Sequence, residues 1–207
     1  MEMISLPDLR VAYELGLFGL FLIVAIRSWN VRGSGITTRE LAFGFAVSQG
    51  VELLAVALGR YSYPDWLVYF PPEPAWVPLG VGLGWAALVP CVMRVSETIL
   101  RPGASFAKLA LLDGLIAVGV DLMLDPAVSG APLHMWDWSG PQMVPYHYWL
   151  LDVPVFNFVG WVVLIGATTY QLRTVEAKYT GAKRWQMLGI YLLANLAIAG
   201  AVMQLPW

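Results

Sequence analysis

Four carboxyl-bearing residues stand where hydrocarbon is expected. Glu52 lies inside the apolar segment 41–59, Asp113 and Asp121 lie inside another at 106–124, and Asp125 follows directly. An ionisable side chain at the middle of a membrane-spanning helix costs about 2.5–3.5 kcal/mol on insertion scales, so a chain that keeps several is expected to use them. Basic residues are expected in the connections and not in the helix centres. With no cation beside it, a carboxyl in an apolar setting keeps its proton near neutral pH, and is a proton donor in want of a base. The chemistry open to such groups is proton transfer, in catalysis or as a relay across a membrane.

The elements that must position these groups follow from composition. Of 207 residues 58% are hydrophobic and only 13% charged, with a mean hydropathy of +0.66, whereas a soluble domain carries about 25% charged residues. Six windows have roughly the 20 apolar residues that a bilayer core requires: 11–29, 41–59, 76–98, 106–124, 153–172 and 185–205. The expected fold is an all-α, polytopic membrane protein, one transmembrane domain over residues 1–207. The first window follows Glu2 and Asp8, not a basic stretch, and reads as a retained helix instead of a signal peptide. Ten of the twelve basic residues fall in three connections: Arg27, Arg32 and Arg39; Arg94, Arg101 and Lys108; Arg173, Lys178, Lys183 and Arg184. The positive-inside rule makes those connections cytoplasmic and puts both termini on the outer side of the cell membrane. No basic stripe suggests nucleic acid, and no internal repeat is discernible. Cys91, the only cysteine, excludes an intramolecular disulfide or a thiolate cluster. His134 and His147 are too few for a haem or zinc site and read as surface or lid residues.

Depth along the helices brings some polar residues together. The rise of about 1.5 Å per residue puts Glu52 roughly 10 Å beneath the outer end of the second helix. Asp121 lies one turn before Asp125, so the two share a face. Asn157 lies one turn into the fifth helix, and Trp161 one turn further on the same face. Glu52, Asp121, Asp125 and Asn157 are therefore expected to form one site in the outer half of the membrane. Asp113, deeper and rotated away, is expected to pair with a basic neighbour such as Lys108. Asn195, Gln49 and Gln204 fit plain interhelical hydrogen bonding, and Asp125-Pro126 also fits a helix end. The two outer loops, 60–75 and 125–152, are dense in aromatic residues, among them Tyr61, Tyr63, Trp66, Trp136, Trp138 and Trp149. An aromatic belt accounts for a few such rings, and a lid over a vestibule accounts for all of them.

Several blocks of this chain resemble the carotenoid biosynthesis protein family, the membrane hydratases that act on the ends of acyclic carotenoids. They are Glu52 with Gly59-Arg60-Tyr61-Ser62-Tyr63; Trp76-Val77-Pro78-Leu79 with Trp85; Asp121 with Asp125-Pro126; Trp136-Asp137-Trp138; and Val153-Pro154 with Asn157-Phe158 and Gly160-Trp161. The chain departs from the pattern at Asp152, where a glycine usually precedes the Val/Ile-Pro pair. The resemblance implies hydration of a terminal isoprene double bond. Glu52 or Asp121 would donate the proton, and Asp125 and Asn157 would position water or orient a carboxyl. Tyr61, Tyr63, Trp76, Trp85, Trp136, Trp138 and Trp161 would line the substrate path. Aromatic faces stabilise a carbocation by about 0.5–2 kcal/mol each.

Such a reaction needs no metal or organic cofactor. Its partners are a lipophilic isoprenoid taken from the bilayer and the membrane lipids themselves. With water excluded, the same cation would close on an internal alkene, making the protein an acid-initiated isoprenoid (terpene) cyclase. A proton-coupled carrier is the third reading, since membrane carboxylates also relay protons.

Overall fold

A chain in hydrocarbon has to satisfy its own backbone hydrogen bonds, and helices do so within each segment. The computed structural model describes residues 6–63, 66–70, 77–130, 133–138 and 148–205. They form α1 (Leu6–Arg32), α2 (Ser34–Ala57), α3 (Leu79–Ile99), α4 (Phe106–Ser129), α5 (Val155–Lys178) and α6 (Ala182–Gln204). Two short hairpins join them: β1 (Tyr69–Phe70) with β2 (Val77–Pro78) before α3, and β3 (Trp149–Leu150) with β4 (Val153–Pro154) before α5. Five helices are long and apolar enough to cross a bilayer. The remaining one, α4, reaches about 36 Å at 1.5 Å per residue but carries Lys108, Asp113, Asp121 and Asp125. It buries all three acids and leaves Leu111, Leu115, Val120 and Met123 exposed. The chain is an all-α integral membrane protein.

The closest packing is α4 on α5 and α2 on α3; α3 also meets α4 and α1, and α6 packs on α5 and α2. This arrangement contains a repeat, which corrects the expectation of none. The unit α2–hairpin–α3 recurs as α4–hairpin–α5, and each second helix starts from a Val-Pro step with the proline extended at the N-cap. Counted from Pro78 and Pro154, Trp85 and Trp161 hold equivalent positions, and so do Glu97 and Arg173. Each equivalent pair is in contact. The two indoles stack with centroids 4.2 Å apart, and the Arg173 guanidinium lies 3.5 Å from the Glu97 carboxylate. In the first helices, Glu40 and Glu52 have the same spacing as Asp113 and Asp125. The two units thus repeat one helix–hairpin–helix plan, and α3 meets α5 through these pairs.

The second hairpin explains the family's glycine. Leu151 and Asp152 have φ of 53° and 62°, the two left-handed residues of a type I′ turn. Glycine adopts that conformation freely, and aspartate tolerates it better than most residues.

At the end of the bundle away from the hairpins, ion pairs join all six helices. Arg32 meets Glu40 at 3.1 Å and Glu97 at 3.9 Å, Arg39 meets Glu176 at 2.5 Å, and Arg184 meets Glu176 at 3.4 Å. Arg173, expected in a connection, is buried within α5 and donates to Asp113 and, at 3.1 Å, to Ser96 Oγ. Two expectations are corrected here. Asp113 pairs with Arg173 and not Lys108, and a cation does lie within a helix, where its partner on α4 offsets the cost of burying it. A third correction concerns Asp125-Pro126, which does not end α4. The helix runs on to Ser129, whose hydroxyl donates to the Asp125 carbonyl at 2.7 Å.

The α4–α5 contact depends on Gly114, where an added Cβ would overlap the carbonyl oxygen of Val162. Backbone cannot give way as a side chain does. Gly114→Ala is expected to lower stability by about 1–3 kcal/mol, read as a lower unfolding midpoint in detergent. Gly119→Ala in the same helix, where a Cβ meets nothing within 4 Å, should leave the midpoint unchanged or raise it slightly.

Candidate active site

Glu52 is placed near the end of α2, and the turn that follows brings its partners back onto it. Arg60 N–H donates to Ala55 O at 2.9 Å and Gly59 N–H to Val56 O at 3.0 Å, the paired bonds of a Schellman cap. That cap needs a left-handed residue, and Gly59 supplies it with φ of 64°. The reversed chain then carries Tyr61 and Tyr63 over Glu52. Both phenols donate to Glu52 Oε2, Tyr63 at 2.6 Å. Burial first, then the Glu52 carboxyl, pushes both phenols well above their ordinary value. They remain O–H donors over the whole working pH range.

The second half of the site comes from α4 and α5. Asn157 donates one amide hydrogen to Asp121 Oδ2 at 2.8 Å and the other to Asp125 Oδ2 at 2.6 Å. The two aspartates stand one turn apart on α4 and are bridged by the same Asn157 amide. Asp121 Oδ1 is buried with no hydrogen-bond partner among the described residues.

Both halves face one cavity of about 210 Å³. The stacked Trp85 and Trp161 form one wall, and a cluster of Tyr61, Tyr63, Trp136, Trp138 and Phe156 forms the roof. The Tyr61 and Trp138 centroids are 4.8 Å apart and those of Tyr63 and Trp136 are 6.2 Å apart, both edge to face. The roof is tied down by Ser62 and Asp137, which exchange backbone bonds of 3.1 and 2.9 Å, and by Trp66 Nε1 on Met135 O at 2.6 Å. From α1, Arg10 holds Leu133 O at 2.9 Å and buried Glu14 accepts from Leu67 N–H at 2.5 Å. The indole nitrogens of Trp136 and Trp138 are buried without a partner among the described residues.

Glu52, Asp121, Asp125, Asn157, Tyr61, Tyr63, Trp85, Trp136, Trp138 and Trp161 thus all line the same cavity. Trp76 and His147 lie outside the described residues. Asn195 is elsewhere, in a reciprocal amide pair with Gln171 at 3.2 and 2.8 Å. Gln49 donates to Pro78 O at 3.2 Å and Gln204 is exposed. Sequence reasoning passed over Tyr13, which lines the cavity, and Glu14, which anchors the lid. The signal for Glu14 was available, as an acid inside an otherwise apolar first helix. Among the described residues, no three His, Cys, Asp or Glu are grouped so as to hold a metal ion.

The sequence profile of the carotenoid biosynthesis protein family matches residues 15–205. The match spans most of the chain, with Glu52, Asp121, Asp125 and Asn157 inside it, so this protein belongs to that family and has a role in carotenoid biosynthesis. No curated protein matches it individually, and no solved structure does.

Proposed function

We propose that this protein is a hydratase that protonates a terminal isoprene double bond of an acyclic carotenoid and adds water to give a tertiary alcohol. The observation that carries the reading is the meeting of three carboxyls and one amide, from α2, α4 and α5, on a single apolar cavity with aromatic walls. The Asp121–Asp125 pair is the acid, presenting its proton from Asp121 Oδ1. The proton adds to the CH carbon of the trisubstituted alkene, and the π electrons leave a tertiary cation at the other carbon. Trp85 and Trp161 offer ring faces to that cation, each worth about 0.5–2 kcal/mol. Water attacks the cation while Glu52, held by Tyr61 and Tyr63, takes the water's proton. Return of that proton to the aspartate pair restores the site. No cofactor enters this cycle.

Unpartnered polar atoms favour hydration over cyclisation. Trp136 Nε1 and Trp138 Nε1 can donate around a cavity where buried polar groups call for a bound water. We take residues 1–207 as one transmembrane domain, with its basic end cytoplasmic and the lid on the outer side.

Incubation of the purified protein with lycopene in lipid nanodiscs, followed by mass spectrometry, separates the readings. A product heavier by one water is expected. An isomer of unchanged mass would assign a cyclase, and unaltered lycopene would overturn the hydratase reading.

A further inference from the structure

The cavity is roofed by the aromatic lid, and the ion-paired end of the bundle contributes none of its lining residues, which leaves the side as the way in for a long hydrophobic substrate. One side is open. α1 packs on α3 and α2, and α4 packs on α3 and α5, but α1 and α4 make no extended contact with each other. Between them lie three residues that belong to the cavity lining and are nevertheless exposed: Leu20 of α1, Cys91 of α3 and Val120 of α4. Counted from the lid ends of their helices at 1.5 Å per residue, the three lie between about 13 and 21 Å deep. That is the middle of a hydrocarbon layer of about 30 Å. All three side chains are apolar or nearly so, and none would bar a hydrocarbon.

We propose that this gap is a lateral portal, floored by Cys91 of α3, and that its occupant is the polyene body of the isoprenoid. Resting on the hydratase reading above, it assigns the access route and posture of that substrate. One end group enters to meet the carboxyls while the remaining chain lies through the gap and out among the lipid tails. The cavity volume of about 210 Å³ suits an end group and not a full-length carotenoid.

As the only cysteine, Cys91 carries the test. A nitroxide attached to it in nanodiscs is expected to be relaxed by oxygen and not by a water-soluble nickel chelate. Adding lycopene should then broaden its spectrum as the polyene immobilises it. A control label on Ile190→Cys in a Cys91→Ala background, exposed on α6, should show the same oxygen response and no change with lycopene. Leu20→Trp should narrow the portal and reduce alcohol formation from lycopene with unfolding unchanged. A Cys91 label that responds to nickel, or that lycopene leaves as mobile as before, overturns the portal whatever the product assay gives. An immobilised label without alcohol product overturns the hydratase reading and leaves the portal standing.

Discussion

Asp121→Asn and Glu52→Gln should each give a folded protein that forms no measurable alcohol from lycopene. Both substitutions keep the shape of the side chain and remove the proton chemistry. General acid–base groups contribute about 10²–10⁴-fold to rate, and protonation of an unactivated alkene leaves little background reaction beneath them. Asp121→Asn removes the atom proposed to carry the proton, and Glu52→Gln removes the acceptor for the water's proton. Because the two act in one cycle, the double variant should be scarcely slower than either single one. Tyr61→Phe is the graded companion, since Glu52 keeps the Tyr63 bond at 2.6 Å and the loss should be smaller. Initial rates by mass spectrometry, alongside unfolding midpoints in the same detergent, check all four proteins. Full activity in both single variants would end the proposal that these carboxyls do the chemistry.

How far the sequence foretells this arrangement depends on whether the signal is local. Helix periodicity and depth are local, and Glu52, Asp121, Asp125 and Asn157 were placed together from rise and direction alone. The six apolar windows each correspond to a helix, although the helices extend past them, α1 as far as Arg32. Pairing across helices is not local. Arg173 reads as a loop residue because basic side chains cluster at helix ends, and nothing in the chain announces that its partner is Asp113. The repeat escaped notice for the same reason, as a stacked Trp pair and a Glu97–Arg173 ion pair look alike only once α3 and α5 are side by side. Glu14 shows the opposite failure, a visible acid whose partner is a backbone N–H in the lid.

The largest effect on stability is expected at the Arg173–Asp113 pair. Both side chains are buried, at 7% and 0% exposure, and removing one partner leaves the other charged in a low-dielectric setting. Asp113→Ala or Arg173→Ala should therefore cost about 3–5 kcal/mol, measured as a fall in unfolding midpoint on denaturant titration in mixed micelles. Replacing both at once, Asp113→Leu with Arg173→Met, should recover most of that loss, because a well-packed apolar pair avoids the desolvation cost altogether. The double variant also separates two roles for the pair. Asp113 shares α4 with Asp121 and lies about 12 Å from it along the helix, so it could be a step in a proton path or simply fix α4 against α5. A path requires a titratable group at that position, and a staple requires only a filled and neutral one. The basic-end network already ties all six helices together, and Gly114, next to Asp113, sets the α4–α5 approach. Both features belong to a staple. The stabilised double variant should accordingly hydrate lycopene at close to the wild-type rate, whereas a proton path would leave it stable and inactive.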